Sequence, residues 1–501
     1  MRFAEQPESV LAHLDSLRAH DAPTHGGHVL SYVYDPGQPE LDELAARAAR
    51  AMQPVNGLDP TTFGSVAALE RDLVGFARDL LAGGDRTVVG TVTSGGTESC
   101  LLAVLTARDA WLAAAGRPSG AARPRLVAPS TVHAAFHKAA HLFGLELDLV
   151  PVGPSGAVDA AAVGERLGPD VALVVVSAPS YPHAALDPVA DVAALAAARH
   201  VPVHVDACIG GFALPFWPGL PTWDLRVPGV TSLSADLHKY AYAPKGASVL
   251  LQRGRDRQRT QYFATTRWPG YPVVNPTLLG SRSGGPPAAA WAIVRALGRG
   301  GLAELAARAR AATLALRAAV EGIDGLRVVG DPAGPLFAVA ADDGLPAARR
   351  VDPHLWSDAV AARGWTLQPQ PGLTQADGTR LPHTTHLTVT PVTDRALGEL
   401  VPALGAAADE VRGRARPDAT ALVESALGAA TPDGGDSAPP RTGSAESDAA
   451  AAALAAFGVG AADGAPGLGP MAPLLAAVEA LPPAVAERLL VELMARLVEP
   501  R

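Results

Sequence analysis

Of the 41 basic residues in this chain, only Lys138, Lys239 and Lys245 are lysines, and the rest are arginines. A drift from lysine to arginine is tolerated wherever a solvated positive charge is enough. The lysines that survive such a drift are therefore enriched at positions where a guanidinium fails. Arginine is not deprotonated in a protein, whereas a partly buried lysine can become a nucleophilic amine. Lys239 and Lys245 fall together in His238-Lys239-Tyr240-Ala241-Tyr242-Ala243-Pro244-Lys245-Gly246, and Lys239 is the candidate nucleophile.

Three further stretches carry residue types suited to a polar reaction centre. Ser94-Gly95-Gly96-Thr97-Glu98-Ser99 lies between an apolar strand-like run and a helical one. Glycines at such a turn let the backbone approach an anion, and the helix start offers free N–H groups to a phosphate. The same turn with a Thr cap is common in α/β folds, and no Gly-Lys-Ser/Thr closes it as in a nucleotide-binding loop. Val203-His204-Val205-Asp206-Ala207 ends a buried strand with a carboxylate. Burial there requires a cap, an arginine or another cationic partner, and the protonated nitrogen of an aromatic cofactor ring is one such partner. His133, His137 and His141 repeat at i, i+4 and i+8. No glutamate separates the first two and no third ligand is indicated, so zinc is disfavoured. His133, at the helix start, is the one placed to lie flat on a cofactor ring.

The elements that must position these residues follow from the hydrophobic pattern. Apolar runs at 87–93, 125–128, 145–151, 171–177, 201–205 and 247–251 read as buried strands separated by Ala/Leu-rich helices, which implies a largely parallel sheet covered on both faces. Ligands in such sheets bind at the carboxyl ends of the strands. We expect an N-terminal segment over 1–60, a large ligand-binding domain over 61–287 and a smaller α+β domain over 288–412. A flexible linker over 413–450 and a helical tail over 451–501 complete the expected organisation. Thr431-Pro-Asp-Gly-Gly-Asp-Ser-Ala-Pro-Pro contains almost nothing that could pack. The tail recovers an apolar stripe after Pro483 (Val485, Leu489, Leu490, Leu493, Met494, Leu497), expected to dock on the chain's own dimer or on a partner.

Composition excludes several classes. The formal charge of −9 argues against non-specific affinity for nucleic acid. No run approaches the roughly 18 apolar residues of a membrane span. Two cysteines, Cys100 and Cys208, give no disulfide framework and no metal-ligand spacing. A cytoplasmic protein is expected.

Taken together, in order and spacing, the motifs resemble the sphingosine-phosphate lyase branch of the group II pyridoxal-phosphate-dependent decarboxylases. The resemblance runs from about Tyr34 to about Thr390 and rests on five stretches: Thr91-Val-Thr-Ser-Gly-Gly-Thr-Glu-Ser, Val132-His-Ala-Ala-Phe-His-Lys-Ala-Ala-His, His204-Val-Asp-Ala-Cys-Ile-Gly-Gly-Phe, Ser232-Leu-Ser-Ala-Asp-Leu-His-Lys-Tyr-Ala-Tyr-Ala-Pro-Lys-Gly and Gly280-Ser-Arg-Ser-Gly-Gly. It implies the fold-type-I (aspartate aminotransferase) α/β architecture and a homodimer with shared active sites. Lys239 would then be the Schiff-base lysine of pyridoxal 5′-phosphate, Asp206 the partner of its ring nitrogen and His133 the residue stacked on the ring. Gly95, Gly96 and Thr97 would hold the cofactor phosphate, with Ser177 and Ala207 also against the cofactor. His238 would contact phosphate or assist proton transfer. Lys245, Arg282 and His183 would meet the substrate, Arg282 in its own site or the partner subunit's.

The resemblance implies a carbon–carbon lyase acting on a small-molecule amine. Lys245 favours a phosphorylated β-hydroxy amine and aldehyde release. An amino-acid decarboxylase with the same cofactor site is the alternative, and a non-catalytic scaffold acting through the C-terminal helix is a third reading. Ser180, Tyr181, His183-Ala184 and the loop Trp268-Pro-Gly-Tyr-Pro-Val-Val-Asn-Pro depart from the family pattern where the substrate should be read. The cofactor chemistry therefore carries over further than substrate identity does.

Overall fold

The computed structural model describes residues 3–114, 123–420, 423 and 470–500. Most of the expected linker, including 431–440, lies outside the described residues. Helices α1 (Pro7–Arg18), α2 (Pro39–Met52) and α3 (Gly64–Leu81) precede the first strand. The large sheet is built from β1 (Val88–Thr93), β2 (Arg125–Pro129), β3 (Glu146–Val150), β4 (Val171–Ser177), β5 (Val203–Asp206), β6 (Val230–Ala235) and β7 (Ser248–Arg253), in the order β1-β7-β6-β5-β4-β2-β3. Intervening helices are α4 (Gly96–Ala114), α5 (Ala134–Phe143), α6 (Ala160–Arg166) and α7 (Val189–Ala197).

The sequence of β4, Val-Ala-Leu-Val-Val-Val-Ser, is buried at every position. A β-branched run buried on both faces makes an interior strand of an α/β sheet. Each fully buried valine there contributes about 1.5–3 kcal/mol. β2, β4, β5 and β6 pair in parallel, but β7 runs antiparallel to both β6 and β1. The chain therefore returns directly from β6 to β7, and residues 236–247, which contain both Lys239 and Lys245, form that return. Gly246 takes a φ of 110°, a left-handed conformation that suits glycine.

Helix α8 (Arg255–Thr260) and a short hairpin, β8 (Phe263–Thr265) with β9 (Val273–Asn275), lead to the 37-residue α9 (Gly285–Glu321). The helix is broken at Gly298, whose φ of 53° and ψ of −166° are not helical. The second sheet has β10 (Leu326–Val328), β11 (Leu336–Ala341), β12 (Gln368–Gln370) and β15 (Thr384–Thr388), antiparallel in the order β10-β11-β15-β12. Between β12 and β15 lies a two-residue-per-strand hairpin, β13 (Leu373–Thr374) with β14 (Arg380–Leu381). Helices α10 (Pro353–Ala361) and α11 (Thr393–Val411) pack on this sheet around Trp356, Leu387, Leu400 and Leu404. Asp352 caps α10 by accepting the His354 and Leu355 N–H groups. Towards the C-terminus the described residues include α12 (Met471–Ala480) and α13 (Pro483–Leu497).

Among the described residues no helix is long and apolar enough to cross a membrane. Helix α1 buries none of its residues, and Val10, Leu11, Leu14 and Leu17 stand exposed. Large apolar side chains are also exposed around the β8–β9 hairpin, among them Phe263, Trp268, Tyr271 and Val274.

Candidate active site

Because β1 and β6 both run antiparallel to β7, they point the same way. The carboxyl ends of β1, β5 and β6 therefore share one edge of the sheet. At that edge a cavity of about 350 Å³ is lined by Ser94–Glu98, His133, Cys208, Asp236, His238 and Lys239. Lys239 stands one turn beyond β6, where its N–H donates to the Asp236 carbonyl at 3.3 Å. Its Nζ lies 3.0 Å from Asp236 Oδ2, and His238 Nε2 lies 3.5 Å from the same oxygen. Burial alone would lower the Lys239 pKa, but Asp236 together with Tyr34 and Cys208 outweighs it and holds the ammonium well above its ordinary range. Burial likewise opposes ionisation of Asp236, and Lys239 and His238 together hold its pKa below the usual value.

The glycine turn approaches this pair closely. A Cβ at Gly96 would fall 2.6 Å from Asp236 Oδ2 and 2.9 Å from Cys208 Sγ, and one at Gly95 would fall 3.3 Å from His238 Cε1. Glycine at 96 is thus a steric requirement. Glu98 fastens the turn by accepting the Ser94 N–H at 2.6 Å and the Leu278 N–H at 2.8 Å. Thr97 lies in the first turn of α4, whose leading N–H groups have no intrahelical acceptor. His133 caps α5, its Nδ1 accepting the Ala135 N–H at 3.2 Å. Among the described residues, the buried His238 Nδ1 has no hydrogen-bond partner.

Other expected residues stand further off. Asp206 does not line this cavity; its Oδ1 accepts the Cys208 N–H at 3.1 Å, a local turn cap, and the Ser234 hydroxyl at 3.5 Å. Ala207 donates its N–H to the Ser234 carbonyl. Ser177 sits opposite Asp206 in register, and its N–H donates to Asp187 Oδ2 at 2.8 Å. Arg282 lines neither this cavity nor the second one described below. Its guanidinium is taken up by Glu70, 2.5 Å away, and by the Val92 carbonyl at 3.2 Å. In this chain its charge is already paired, which is the physical reason it stands apart from the expected substrate contact.

His183 lies in a second cavity of about 400 Å³, together with Tyr32, Tyr181, Gln368, Gln370 and Thr384. Burial lowers the His183 pKa to about 4, so its ring is neutral at physiological pH. Tyr181 stacks on His386 at 4.3 Å. Gln370 Nε2 donates to the Pro182 carbonyl at 2.8 Å and to Thr384 Oγ1 at 2.9 Å. Tyr32, which lines the second cavity, and Tyr34 both meet Lys245, which lines neither cavity. Lys245 Nζ donates to the Tyr32 carbonyl at 3.1 Å and sits 4.6 Å over the Tyr34 ring. Tyr34 and Tyr181 both lie within electrostatic reach of Lys239. Although the Lys245 side chain reaches solvent, partial burial and the charge of Lys239 lower its pKa to about 8.

Asp236, Tyr34 and the Gln368–Gln370 strand are not among the site residues expected from sequence. Asp236 was within sight, three residues before Lys239 in Ser-Ala-Asp-Leu-His-Lys. Tyr34 and Gln370 reach the site only through the fold.

A sequence profile described as the pyridoxal-dependent decarboxylase conserved domain matches residues 61–320, and one described as a C-terminal putative HTH domain of pyridoxal-dependent enzymes matches 436–496. The chain is 36% identical over 361 residues to sphingosine-1-phosphate lyase 1 of Mus musculus, covering 71% of this chain and 61% of the mouse protein. The chain thus spans under two thirds of the length of that relative. A solved sphingosine-1-phosphate lyase from Burkholderia pseudomallei superposes with a TM-score of 0.74 at 34% identity, covering 87% of this chain and 98% of that one. Glutamate decarboxylase of Lactobacillus brevis, at 19% identity and a TM-score of 0.72 over 83% of this chain and 95% of that one, shares the fold.

Proposed function

From the premise that this chain belongs to the pyridoxal-dependent decarboxylase family, we propose that it is a carbon–carbon lyase cleaving a bond to Cα of a phosphorylated β-hydroxy amine. The observation that carries the reading is the placement of the lysines. Lys239 is ion-paired in the first cavity, and Lys245 stands over the Tyr34 ring and bonds the carbonyl of Tyr32, a residue that lines the second.

The residues around Lys239 fit pyridoxal 5′-phosphate. The Gly95–Gly96 cradle leaves room that a Cβ would fill, and His238 Nδ1 is a buried polar atom in need of a partner. Gly95, Gly96 and Thr97 would hold the cofactor phosphate at the start of α4. His133 would lie on the ring, Asp206 would pair with its nitrogen, and Ser177 and Ala207 would support it from the strand ends. When bound, the cofactor supplies the electron sink that makes a bond to Cα of an amine breakable.

Lys239 presents the amine that attaches the cofactor, and Asp236 is the counter-ion that steers its Nζ. A proton leaving Nζ has Asp236 Oδ2 at 3.0 Å and His238 within 3.5 Å of that oxygen. Lys245 supplies the cation for a substrate phosphate, and His183 lines the space for the rest of the molecule. The two sphingosine-1-phosphate lyases named above act on a phosphorylated amino alcohol by name, in keeping with a cation at 245. Arg282, paired with Glu70 on its own chain, would act near the partner subunit's site. The exposed apolar side chains of α1 and of the β8–β9 hairpin support a homodimer. Two reduced thiols, Cys100 and Cys208, are in keeping with a cytoplasmic setting. Functional units over 61–287 and 288–412 would each hold one of the two sheets, with the division falling near the start of α9.

The test uses purified protein loaded with pyridoxal phosphate and a panel of phosphorylated β-hydroxy amines and amino acids, scored for aldehyde and for CO₂. Aldehyde from a phospho-amine supports the proposal. Sustained CO₂ from an amino acid with no aldehyde from any phospho-amine would overturn it in favour of a decarboxylase. Failure to bind pyridoxal phosphate would remove both.

A further inference from the structure

The hairpin β13–β14 forms one side of the second cavity, through Gly372, Leu373 and Leu381. With two paired residues per strand, its own ladder is too short to fix it. It is held instead at two places. At the tip, Gln375 Oε1 accepts the Ser130 hydroxyl and the Val152 N–H at 2.8 Å, while Nε2 donates to the Val152 carbonyl at 2.9 Å. This ties the tip to the loops that follow β2 and β3. On the returning strand, Arg380, the partner of Thr374, donates from Nη2 to Glu479 Oε2 at 2.8 Å.

Glu479 belongs to the last turn of α12. Its side chain is 5% exposed, and it also takes Arg416 Nη2 on Oε1 at 2.5 Å and Arg416 Nη1 on Oε2 at 3.0 Å. A Cβ at Gly372 would lie 3.2 Å from Glu479 Oε2. The other end of α12 is fastened as well, since the Met471 and Ala472 N–H groups donate to the two carboxylate oxygens of Asp358 at 2.8 and 3.0 Å. Helix α12 is therefore clamped at both ends to the small-sheet side of the molecule, with a buried carboxylate against the hairpin. The matched tail segment, 436–496, carries seven acidic residues against three arginines, which disfavours a nucleic-acid-binding use of this unit.

We propose that Glu479 is a positioning residue for the substrate cavity. Through Arg380 and Gly372, helix α12 sets where the β13–β14 wall stands, and thereby how well the site takes the non-reacting end of the substrate. This rests on the reading that the second cavity receives the substrate.

The test uses the full-length holoenzyme with Glu479→Gln, the direct cavity variant Gln370→Ala, and, at an exposed position of α13, Glu487→Gln as a control. Hydrogen exchange of residues 372–381 reports the wall, cofactor absorbance reports the first cavity, and kcat and KM are read on phosphorylated β-hydroxy amines of increasing chain length. In Glu479→Gln, exchange in 372–381 should accelerate and KM should rise roughly tenfold, with kcat and cofactor absorbance unchanged; Glu487→Gln should behave as wild type. Unchanged exchange in Glu479→Gln overturns the proposal whatever the activity. Faster exchange with unchanged KM, while Gln370→Ala shifts KM, overturns it and leaves the proposed function standing. If Gln370→Ala also leaves KM unchanged, the cavity is not the substrate site and both fall. Loss of cofactor absorbance together with kcat in Glu479→Gln would mark a general structural role and overturn positioning.

Discussion

Around Lys239 the partners are close in sequence or on adjoining strand ends. Asp236 is three residues away, His238 is adjacent, and the glycine turn follows β1. Around His183 they come from Tyr32, Ser130, Gln370 and Leu381, distributed over most of the chain. The first cavity is built from charges, the second from prolines, amides and tyrosines. A site that must hold one invariant cofactor can be written as short local motifs. A site that reads a variable substrate is assembled by the fold, and a few substitutions can retune it.

Four experiments break or sharpen this contrast. Lys239→Ala should abolish the visible absorbance of the lysine-bound cofactor and lower kcat by on the order of 10³-fold or more; retained turnover would remove Lys239 from the chemistry. Gly96→Ala should weaken cofactor affinity by about 10–100-fold, the equivalent of roughly 1–3 kcal/mol of overpacking against Asp236; cofactor titration checks it, and wild-type affinity would contradict the steric argument. Lys245→Met should raise KM for a phosphorylated substrate by about tenfold or more while leaving cofactor affinity intact. In the wild type, the amine at 245 loses its charge as pH rises through about 8, so KM for a phosphate-bearing substrate should climb above that pH. The KM–pH profile of Lys245→Met should lack this limb.

The smallest effect concerns Asp187, which carries the Ser177–His183 wall. Burial pushes its carboxyl up to about 7, against the lowering effect of the Ser177 and Val158 N–H groups. A folded-state pKa above the unfolded one near 4 means that folding favours the protonated form. Its stabilising share is full below about pH 4 and is lost as the pH rises toward 7. Asp187→Asn should flatten that part of the stability–pH curve, with a cost of about 1–3 kcal/mol for one misplaced backbone donor. Denaturant melts at several pH values read this directly.

The same contrast explains what could be read from the chain alone. The all-buried β4 and the strands ending at Thr93 and Asp206 are visible as apolar runs, because burial leaves a compositional mark. The antiparallel direction of β7 is not visible, since direction is a property of pairing and leaves no periodicity. Asp236 was hidden in plain sight: beside a lysine it reads as an ordinary surface charge, and only its burial shows otherwise. Gln375 meets Ser130 across 245 residues, and Glu479 meets Arg380 across 99. No window of sequence holds both ends of such a contact.

The reach of Glu479 has a consequence in time. The residues that surround Lys239 all lie before residue 246, whereas the carboxylate that braces the hairpin lies at 479. At roughly 5–20 residues per second of synthesis, the interval between the two is on the order of tens of seconds. A nascent chain can thus assemble the pocket that holds its cofactor well before the far wall of its substrate pocket is braced.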